Sequence, residues 1–240
     1  MPSRPHLCPT ILLWWKETCS REGAIAATRK FGAEFRDFIR DSLPSRRRQR
    51  FGDIDYDFDF HVNTTGGTVS WRDRLLGHFL SPYQPTEPAL FHQMLTALSI
   101  DFVPFTFVDL GSGKGRALLM ASDYPFRKIV GVELLPSLHR AAEENLRVYK
   151  SDAQRCHQIE LVCGDARNYR LPDDPLILYL FNPLPQAALE EVLGKLLVSL
   201  EAHPRPVYVI YHNPLLESVV ARQTWLSQIG GTHQYALFKG

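Results

Sequence analysis

The sequence predicts an α/β fold in which a mostly parallel sheet carries helices on both faces. From Thr106 onward, short apolar stretches alternate with amphipathic helical stretches, which is the pattern of parallel strands joined by crossover helices. Near the end of the sequence, two strand-like stretches flank Gly230 and Gly231, and this pairing predicts a tight antiparallel hairpin. We therefore expect seven strands, with the hairpin following five strand and helix units.

The first predicted strand leads into a glycine-rich turn. Phe107, Val108 and Leu110 suit a buried parallel strand. Gly111, Gly113 and Gly115 follow, and glycine lets the backbone turn sharply and approach a ligand closely. A helix is predicted directly afterwards, over Ala117 to Ala121. This order of strand, glycine turn and helix is typical of a site that binds a nucleoside-containing cofactor.

An acid ends the second predicted strand, Ile129 to Val132. Glu133 stands eighteen residues beyond Gly115, close to the separation of about 20 residues at which an acid reaches ribose hydroxyls. Glycine triplets alone are weak signals, because loops are rich in glycine for conformational reasons. The strand and the acid after the turn make the interpretation specific.

The remaining elements continue the alternation. Strands are predicted over Ile159 to Cys163, Pro175 to Phe181 and Pro206 to Tyr211, helices over Pro136 to Lys150, Ala187 to Leu200 and Pro214 to Gln223, and the hairpin strands over Thr224 to Ile229 and Thr232 to Lys239.

The glycine spacing favours one cofactor class. A dinucleotide fingerprint would place its third glycine at position 116, where this sequence has Arg116. The observed G-x-G-x-G, preceded by Asp109, resembles the first motif of the class I S-adenosylmethionine-dependent methyltransferases. That resemblance implies a Rossmann-like seven-stranded sheet and S-adenosyl-L-methionine as cofactor. The implied cofactor-binding residues are Asp109, Gly111, Ser112, Gly113, Gly115, Glu133, Asp165 and Ala166.

Two of these assignments keep an alternative. In the family, the acid and amide at Asp165 and Ala166 contact the adenine, although an exposed turn aspartate is the plainer interpretation of Asp165. Asn182 and Pro183 end the fourth strand and resemble the Asn-Pro-Pro-aromatic signature of enzymes that methylate amide or amine nitrogens. The resemblance assigns them to the catalytic site, with Asn182 also near the cofactor. Leu184 and Pro185 depart from the signature, and a simple strand-ending turn competes with this assignment.

Residues 1–100 are predicted to form a mainly helical N-terminal extension, and residues 101–240 the cofactor-binding domain. Helices are expected over Ala24 to Ile39 and Ala89 to Leu98. Before the second helix, Tyr83 and Thr86 stand in a proline-punctuated segment that resembles the pre-core loop of non-SET histone-lysine methyltransferases. There the loop covers the methionine end of the cofactor, so both residues are candidate cofactor contacts, with a plain linker as the alternative.

A second stretch of the extension, Val62 to Thr68, is rich in turn-forming residues. In the methyltransferases a segment at this position often folds over the cofactor as a lid. The resemblance to a group of bacterial class I methyltransferases covers this stretch as well, since it begins at Asp55.

Composition bounds the other possibilities. The 240 residues carry a formal net charge of only +1, so the arginine run from Arg46 to Arg50 is better explained as a solvated linker or by pairing with the acids that follow it than by nucleic-acid binding. The four cysteines and nine histidines show no metal-ligand spacing, and no metal is predicted. No apolar run reaches the roughly 18 residues of a membrane span. A cytoplasmic protein without a membrane partner is therefore expected.

The sequence thus predicts a methyltransferase whose acceptor is a nitrogen, in a protein or small molecule more readily than in nucleic acid. Two alternatives stay open. A cofactor-binding scaffold without turnover would show the same glycine turn, and the arginine run leaves room for an RNA or DNA methyltransferase. The sequence does not identify the acceptor or the oligomeric state.

Overall fold

The apolar stretches of the sequence form one seven-stranded sheet. The structure, a computed structural model, describes residues 12, 15–16, 18–21, 23–41, 54–65 and 84–240. The strands are β1 (Thr106–Leu110), β2 (Lys128–Glu133), β3 (Ile159–Cys163), β4 (Leu176–Phe181), β5 (Val207–His212), β6 (Ser227–Gly231) and β7 (Tyr235–Lys239).

Helices cover the sheet and occupy the described part of the extension. They are α1 (Ala24–Asp41), α2 (Ile54–Asp59), α3 (Pro88–Leu98), α4 (Arg116–Ala121), α5 (Pro136–Val148), α6 (Gln186–Ala202) and α7 (Glu217–Ala221), with one 3-10 turn at Ala166–Asn168. Every predicted helix is present. The short helix α7 differs most from its prediction, because its first turn begins only at Glu217.

The strand order confirms the predicted fold class. The sheet runs β3-β2-β1-β4-β5-β7-β6. Strands β1 to β5 are parallel, whereas β7 is antiparallel to both β5 and β6. The fold is therefore a Rossmann-like, mostly parallel sheet closed by an antiparallel hairpin. Parallel strands place their carboxyl ends at the same edge, so the residues after β1, β2 and β4 meet there.

The predicted hairpin is present, but its turn lies elsewhere. Gly230 and Gly231 belong to β6, where they pair with Leu237 and Ala236. The turn comes three residues later, and the amide of Thr232 donates to the carbonyl of Tyr235 at 2.7 Å. A Cβ on Gly231 would lie 2.6 Å from the Tyr235 carbonyl oxygen. The glycine therefore permits a close backbone approach within the ladder and does not form the turn.

Two apolar clusters lie on the two faces of the sheet. One joins α3 and α4 to residues such as Phe107, Ile177 and Tyr179, and it also contains Tyr56 and Val62 from the extension. The other packs α6 and α7 on residues of the opposite face. Because α3 and parts of the extension belong to the first cluster, they pack directly on the sheet. The predicted division at residue 100 stays a prediction.

Within the described ranges, no helix is long and apolar enough to cross a membrane. In the same ranges, no cluster of three His, Cys, Asp or Glu side chains could hold a metal ion.

Gly131 of β2 provides a test of packing between the sheet and α4. A Cβ at this position would lie 2.4 Å from Leu118 Cδ1 and 2.8 Å from Ser112 Oγ. Gly131→Ala should therefore lower the free energy of unfolding by about 1 to 3 kcal/mol through overpacking. Gly194 lies in α6 with no atom within 4 Å of an added Cβ, and Gly194→Ala should raise stability by about 0.5 to 1 kcal/mol. Denaturant unfolding of both variants checks this, and equal effects would contradict it.

Candidate cofactor and acceptor site

The glycine turn after β1 is held by a carboxylate. Gly111, Gly113 and Gly115 all have positive φ, at 87°, 56° and 83°, so the predicted need for glycine is confirmed at each. Glu133 at the end of β2 accepts from the amide of Gly113 at 2.8 Å and from the amide of Leu135 at 2.7 Å. This one side chain therefore fixes the turn against the neighbouring strand end.

Two buried acids lie side by side at this edge. Asp109 and Glu133 expose only 3% and 6% of their surface. Burial raises the pKa of Asp109 well above its ordinary value, and the nearby charge of Glu133 raises it further. Burial also raises the pKa of Glu133, although its backbone hydrogen bonds oppose the shift. No hydrogen bond from a described residue reaches the Asp109 carboxyl group.

This arrangement suits a cationic ligand. A buried carboxyl group without a partner is unfavourable when ionised, and a positive charge nearby would relieve that cost. The Ser112 hydroxyl in the same turn is also buried and has no hydrogen-bond partner. S-adenosylmethionine carries a sulfonium and an ammonium group together with hydrogen-bonding hydroxyls, so the residues present fit this group.

The corner after β4 lies against the glycine turn. A Cβ on Gly111 would be 2.5 Å from Pro183 Cβ, so glycine is required there by Pro183 itself. Asn182 has a positive φ of 45°, and its Oδ1 accepts from the Tyr211 hydroxyl at 3.1 Å. The structure thus brings the two predicted catalytic residues to the edge of the predicted cofactor site.

A second Asn-Pro corner shows which features of the Asn182 corner belong to any strand-ending turn of this kind. Asn213 and Pro214 follow β5 as Asn182 and Pro183 follow β4, and Asn213 has nearly the same φ, 48°. Asparagine tolerates this left-handed conformation better than most residues. The strand-ending interpretation therefore accounts for the backbone at both corners. Only Asn182, however, lies beside the glycine turn and bonds Tyr211.

The predicted adenine contact is engaged within its own loop. Asp165 lies before the 3-10 turn and accepts from the amide and the guanidinium of Arg167. Burial alone would raise the pKa of Asp165, but these hydrogen bonds outweigh burial and lower it. Ala166 begins the turn, and the amide of Gly164 donates to the Glu133 carbonyl at 2.9 Å. This loop therefore lies next to the end of β2, where the resemblance places it.

Of the two candidates before α3, Tyr83 lies outside the described residues. Thr86 is buried and shares a hydrogen bond of 2.9 Å with the Tyr179 hydroxyl. That hydroxyl also lies 2.8 Å from His212 Nδ1. Because Asp109 pairs with Tyr179 in the sheet register, these four side chains form a polar row across β1, β4 and β5 beside the acceptor corner.

The sequence interpretation missed Tyr179 and His212. Burial lowers the pKa of His212 to about 4, and burial, with Asp109 nearby, raises that of Tyr179. Both side chains are therefore uncharged at neutral pH. The available signal was Tyr179 within the apolar run of β4 and His212 at the end of β5, both towards the ends that face the site.

A shallow depression at the opposite edge of the sheet is unrelated to this site. It is lined by residues that include Phe105, Arg205, Tyr208 and Lys239, which lie at or beyond the amino ends of β1 and β5 or at the end of β7. Ligand sites in open α/β sheets lie at the carboxyl ends of the strands.

The strand order identifies the fold more closely. A seventh antiparallel strand inserted between the fifth and sixth, after five parallel strands, is the arrangement of the seven-stranded methyltransferases. The chain has the class I methyltransferase fold. The glycine turn, the acid of β2 and the corner after β4 all lie at the carboxyl edge of this sheet.

Solved structures with this fold resemble the chain at low identity. An RNA methyltransferase from Salinibacter ruber with S-adenosyl-L-homocysteine is 19% identical over 65% of this chain and 92% of its own, with a TM-score of 0.43. A precorrin 8W decarboxylase from Methanobacterium thermoautotrophicum is 17% identical over 65% of this chain and 91% of its own, with a TM-score of 0.47. The glycopeptide N-methyltransferase MtfA with sinefungin is 11% identical over 66% and 87%, with a TM-score of 0.46.

No protein-family model matches the chain, and no curated protein sequence matches it significantly. At these identities and TM-scores, the solved structures decide neither the reaction nor the acceptor. The functional assignment therefore depends on the residues of this chain.

Replacing Asp109 tests whether its buried carboxyl group lowers the stability of the ligand-free protein. An acid whose pKa is raised by folding loses stability as pH rises from its unfolded value, 3.8, through its folded value. Asp109→Asn removes this titration, so it should raise the melting temperature at neutral pH by about 2 to 4 °C, equivalent to about 1 kcal/mol. The gain should vanish as pH falls towards 4. Asp152→Asn, at an exposed position, is the control. A lower melting temperature for Asp109→Asn at pH 7 would contradict this account.

Proposed function

We propose that this chain is an S-adenosylmethionine-dependent methyltransferase that acts on a nitrogen acceptor. The observation that carries the proposal is a pair of buried acids, Asp109 near the end of β1 and Glu133 at the end of β2. They lie next to the glycine turn, and Glu133 holds that turn through the amide of Gly113. The pair offers negative charge to a cation and carboxylate oxygens to hydroxyls at one place. A dinucleotide, with its anionic pyrophosphate, would be repelled by the same pair.

Each part of the edge would hold one part of the cofactor. The turn from Gly111 to Gly113, together with Gly115, would accommodate its central portion, and Glu133 would accept from the ribose hydroxyls. Although both Glu133 oxygens already accept from amides, an ionised carboxylate has about four acceptor positions, so two remain. Asp165 and Ala166 would contact the adenine, and Asp109, Thr86 and Tyr83 the methionine end.

The proposed reaction is a direct displacement. When bound, S-adenosylmethionine supplies a methyl group already activated on a sulfonium. A nitrogen lone pair of the acceptor attacks the methyl carbon while the carbon–sulfur bond breaks. The bond's electron pair stays on sulfur, giving S-adenosylhomocysteine, and the acceptor loses a proton to solvent.

The chain's own residues contribute orientation and an uncharged lining. Orientation of the two reactants can supply several kcal/mol without a strong acid or base. The carbonyl group of the Asn182 side chain has two lone pairs, of which Tyr211 uses one. The other can accept from the N–H of an acceptor. Tyr179 and His212 are neutral at pH 7, so this side of the site adds no positive charge next to a sulfonium.

The acceptor class is the open part of the proposal. Three of the similar structures are RNA methyltransferases by name, one of them a putative one, so the comparisons do not support the preference for a protein or small molecule over nucleic acid. We retain the preference on the Asn182 and Pro183 corner alone. Radiolabelled cofactor incubated with the enzyme and fractionated lysate tests it, because label in RNA would contradict the preference, and label in protein or small molecules would support it.

The cofactor assignment predicts that Gly113→Val abolishes binding of S-adenosylhomocysteine measured by calorimetry. A side chain there would fill ligand space and oppose the positive φ. Gly23→Val is the matched control, because Gly23 has a φ of 86° and no atom within 4 Å of an added Cβ. It carries the conformational penalty alone and should bind as the parent does. Unchanged affinity in Gly113→Val would leave the cofactor assignment without support.

The two Asn-Pro corners provide a matched test of the acceptor role. Asn182→Ala and Asn213→Ala should each lose about 1 kcal/mol of stability, because alanine is unfavourable in the left-handed region, and Asn182→Ala should lose about 1 kcal/mol more with the Tyr211 hydrogen bond. Only Asn182→Ala should slow single-turnover methylation of the labelled fraction, by tenfold or more. Its affinity for S-adenosylhomocysteine should stay near the parent's. Equal rates in both variants would show that Asn182 is only a turn residue.

A further inference from the structure

The segment from Ile54 to Thr65 is organised around one aspartate. Asp57 of α2 accepts from the amides of Thr64 and Thr65 at 2.8 and 2.7 Å, and both threonine hydroxyls donate to the same carboxylate. Burial alone would raise the pKa of Asp57, but these hydrogen bonds outweigh burial and lower it. The carboxylate is therefore ionised at neutral pH and folds the segment back on itself.

The same carboxylate binds the residue that follows the glycine turn. Arg116 is 2% exposed, and its Nη2 lies 3.2 Å from Asp57 Oδ1. Arg116 Nε donates to Thr64 Oγ1 at 2.6 Å, and the guanidinium lies 4.8 Å from the centre of the Tyr56 ring. Arg116 occupies the position at which a dinucleotide site would have its third glycine. Arg116, the residue that departs from that fingerprint, therefore anchors the segment.

A second connection lies on the other side of Gly115. Asn145 of α5 donates to the carbonyl of Lys114 at 2.9 Å and to the carbonyl of Asn63 at 3.2 Å, while its Oδ1 accepts from the Asn63 amide at 2.7 Å. Lys114, 1% exposed, donates to the Asn63 side chain at 3.4 Å. Both residues flanking Gly115 are therefore bound to the segment, one through Asp57 and one through Asn63.

The contacts are selective among similar residues. Asp55, Asp57 and Asp59 alternate along α2, yet Asp55 and Asp59 are exposed and only Asp57 faces Arg116. A buried ion pair is costly to break because the remaining charge is left in an apolar environment. Loss of the Asp57 charge should therefore weaken the contact between the segment and Arg116, and with it the support of the backbone after Gly113.

We propose that the segment Ile54–Thr65 is a latch on the cofactor turn, and that Asp57 is a positioning residue for cofactor binding. The proposal rests on the proposed function, since it assumes that the turn binds S-adenosylmethionine. Glu133 holds the amide of Gly113, but glycines with positive φ leave the rest of the turn conformationally freer. The latch removes that remaining freedom before the cofactor arrives. Linkage then requires that the cofactor in turn stabilises the latch.

The test compares Asp57→Asn with Asp55→Asn and Asp59→Asn. Calorimetry should show S-adenosylhomocysteine binding at least tenfold weaker in Asp57→Asn and unchanged in both controls. In the parent, the cofactor should slow amide hydrogen exchange in residues 54–65, and Asp57→Asn should lose this protection. A purely structural role would lower the melting temperature without changing the affinity of the folded protein or removing that protection.

The outcomes separate the two proposals. If the parent fails to bind S-adenosylhomocysteine, the proposed function falls and the latch with it. If the parent binds and Asp57→Asn binds equally well, the latch alone is overturned. Should Asp57→Asn fail to fold, Thr65→Val decides, because it removes one hydroxyl donor to Asp57 and keeps the side-chain shape. It should weaken binding about threefold with folding retained, and parental affinity would overturn the proposal.

Discussion

The site depends on the hydrogen bonds that Glu133 makes with backbone amides on both sides of it. One carboxylate oxygen holds the amide of Gly113 in the glycine turn and the other holds the amide of Leu135 after β2. Hydrogen bonds to an ionised carboxylate are stronger than those between neutral groups, so they fix the positions of the two amides firmly. Because β2 neighbours β1 in the sheet, this contact sets where the turn lies relative to the strand edge. The corner after β4 is positioned against that turn, since Pro183 packs on Gly111.

Stability and binding make opposite demands at this edge. Burial and the nearby charge of Glu133 raise the pKa of Asp109, and this lowers the stability of the free protein at neutral pH. At Arg116 and Asp57, by contrast, two opposite charges pair directly. The absence of a described partner for Asp109 therefore sets it apart. Functional sites commonly retain such unfavourable groups because a ligand supplies the missing interaction.

Local patterns predicted most of the fold. The strands β1, β2, β4 and β5 read as mainly apolar runs because both of their faces are covered. The glycines after β1 read as a turn because three of them precede a helix. The sequence predicts the hairpin turn at Gly230 and Gly231. The actual turn lies elsewhere, because glycine is favoured both in a tight turn and where two paired strands approach closely. The structure distinguishes the two, because a Cβ added to Gly231 would collide with the Tyr235 carbonyl oxygen of the paired strand.

Contacts between distant parts of the chain could not be predicted in the same way. Aspartates alternate with apolar residues in α2, and a period of two is typical of a strand and not of a helix. The arginine run just before it suggests a local partner for these acids. Asp57 instead pairs with Arg116, 59 residues away, while Arg46 to Arg50 lie outside the described residues. The roles of Tyr179 and His212 likewise depend on neighbouring strands β4 and β5 and on Thr86, which lies far from both in the sequence and bonds the Tyr179 hydroxyl.

Hydrogen exchange measured with and without S-adenosylhomocysteine shows whether the carboxyl ends of β1 and β2 bind this cofactor. We expect slower exchange in three separate segments, residues 111–116, 133–135 and 164–168, with no change in the hairpin strands β6 and β7. Unchanged exchange throughout, or protection confined to the depression near Arg205 and Lys239, would contradict it.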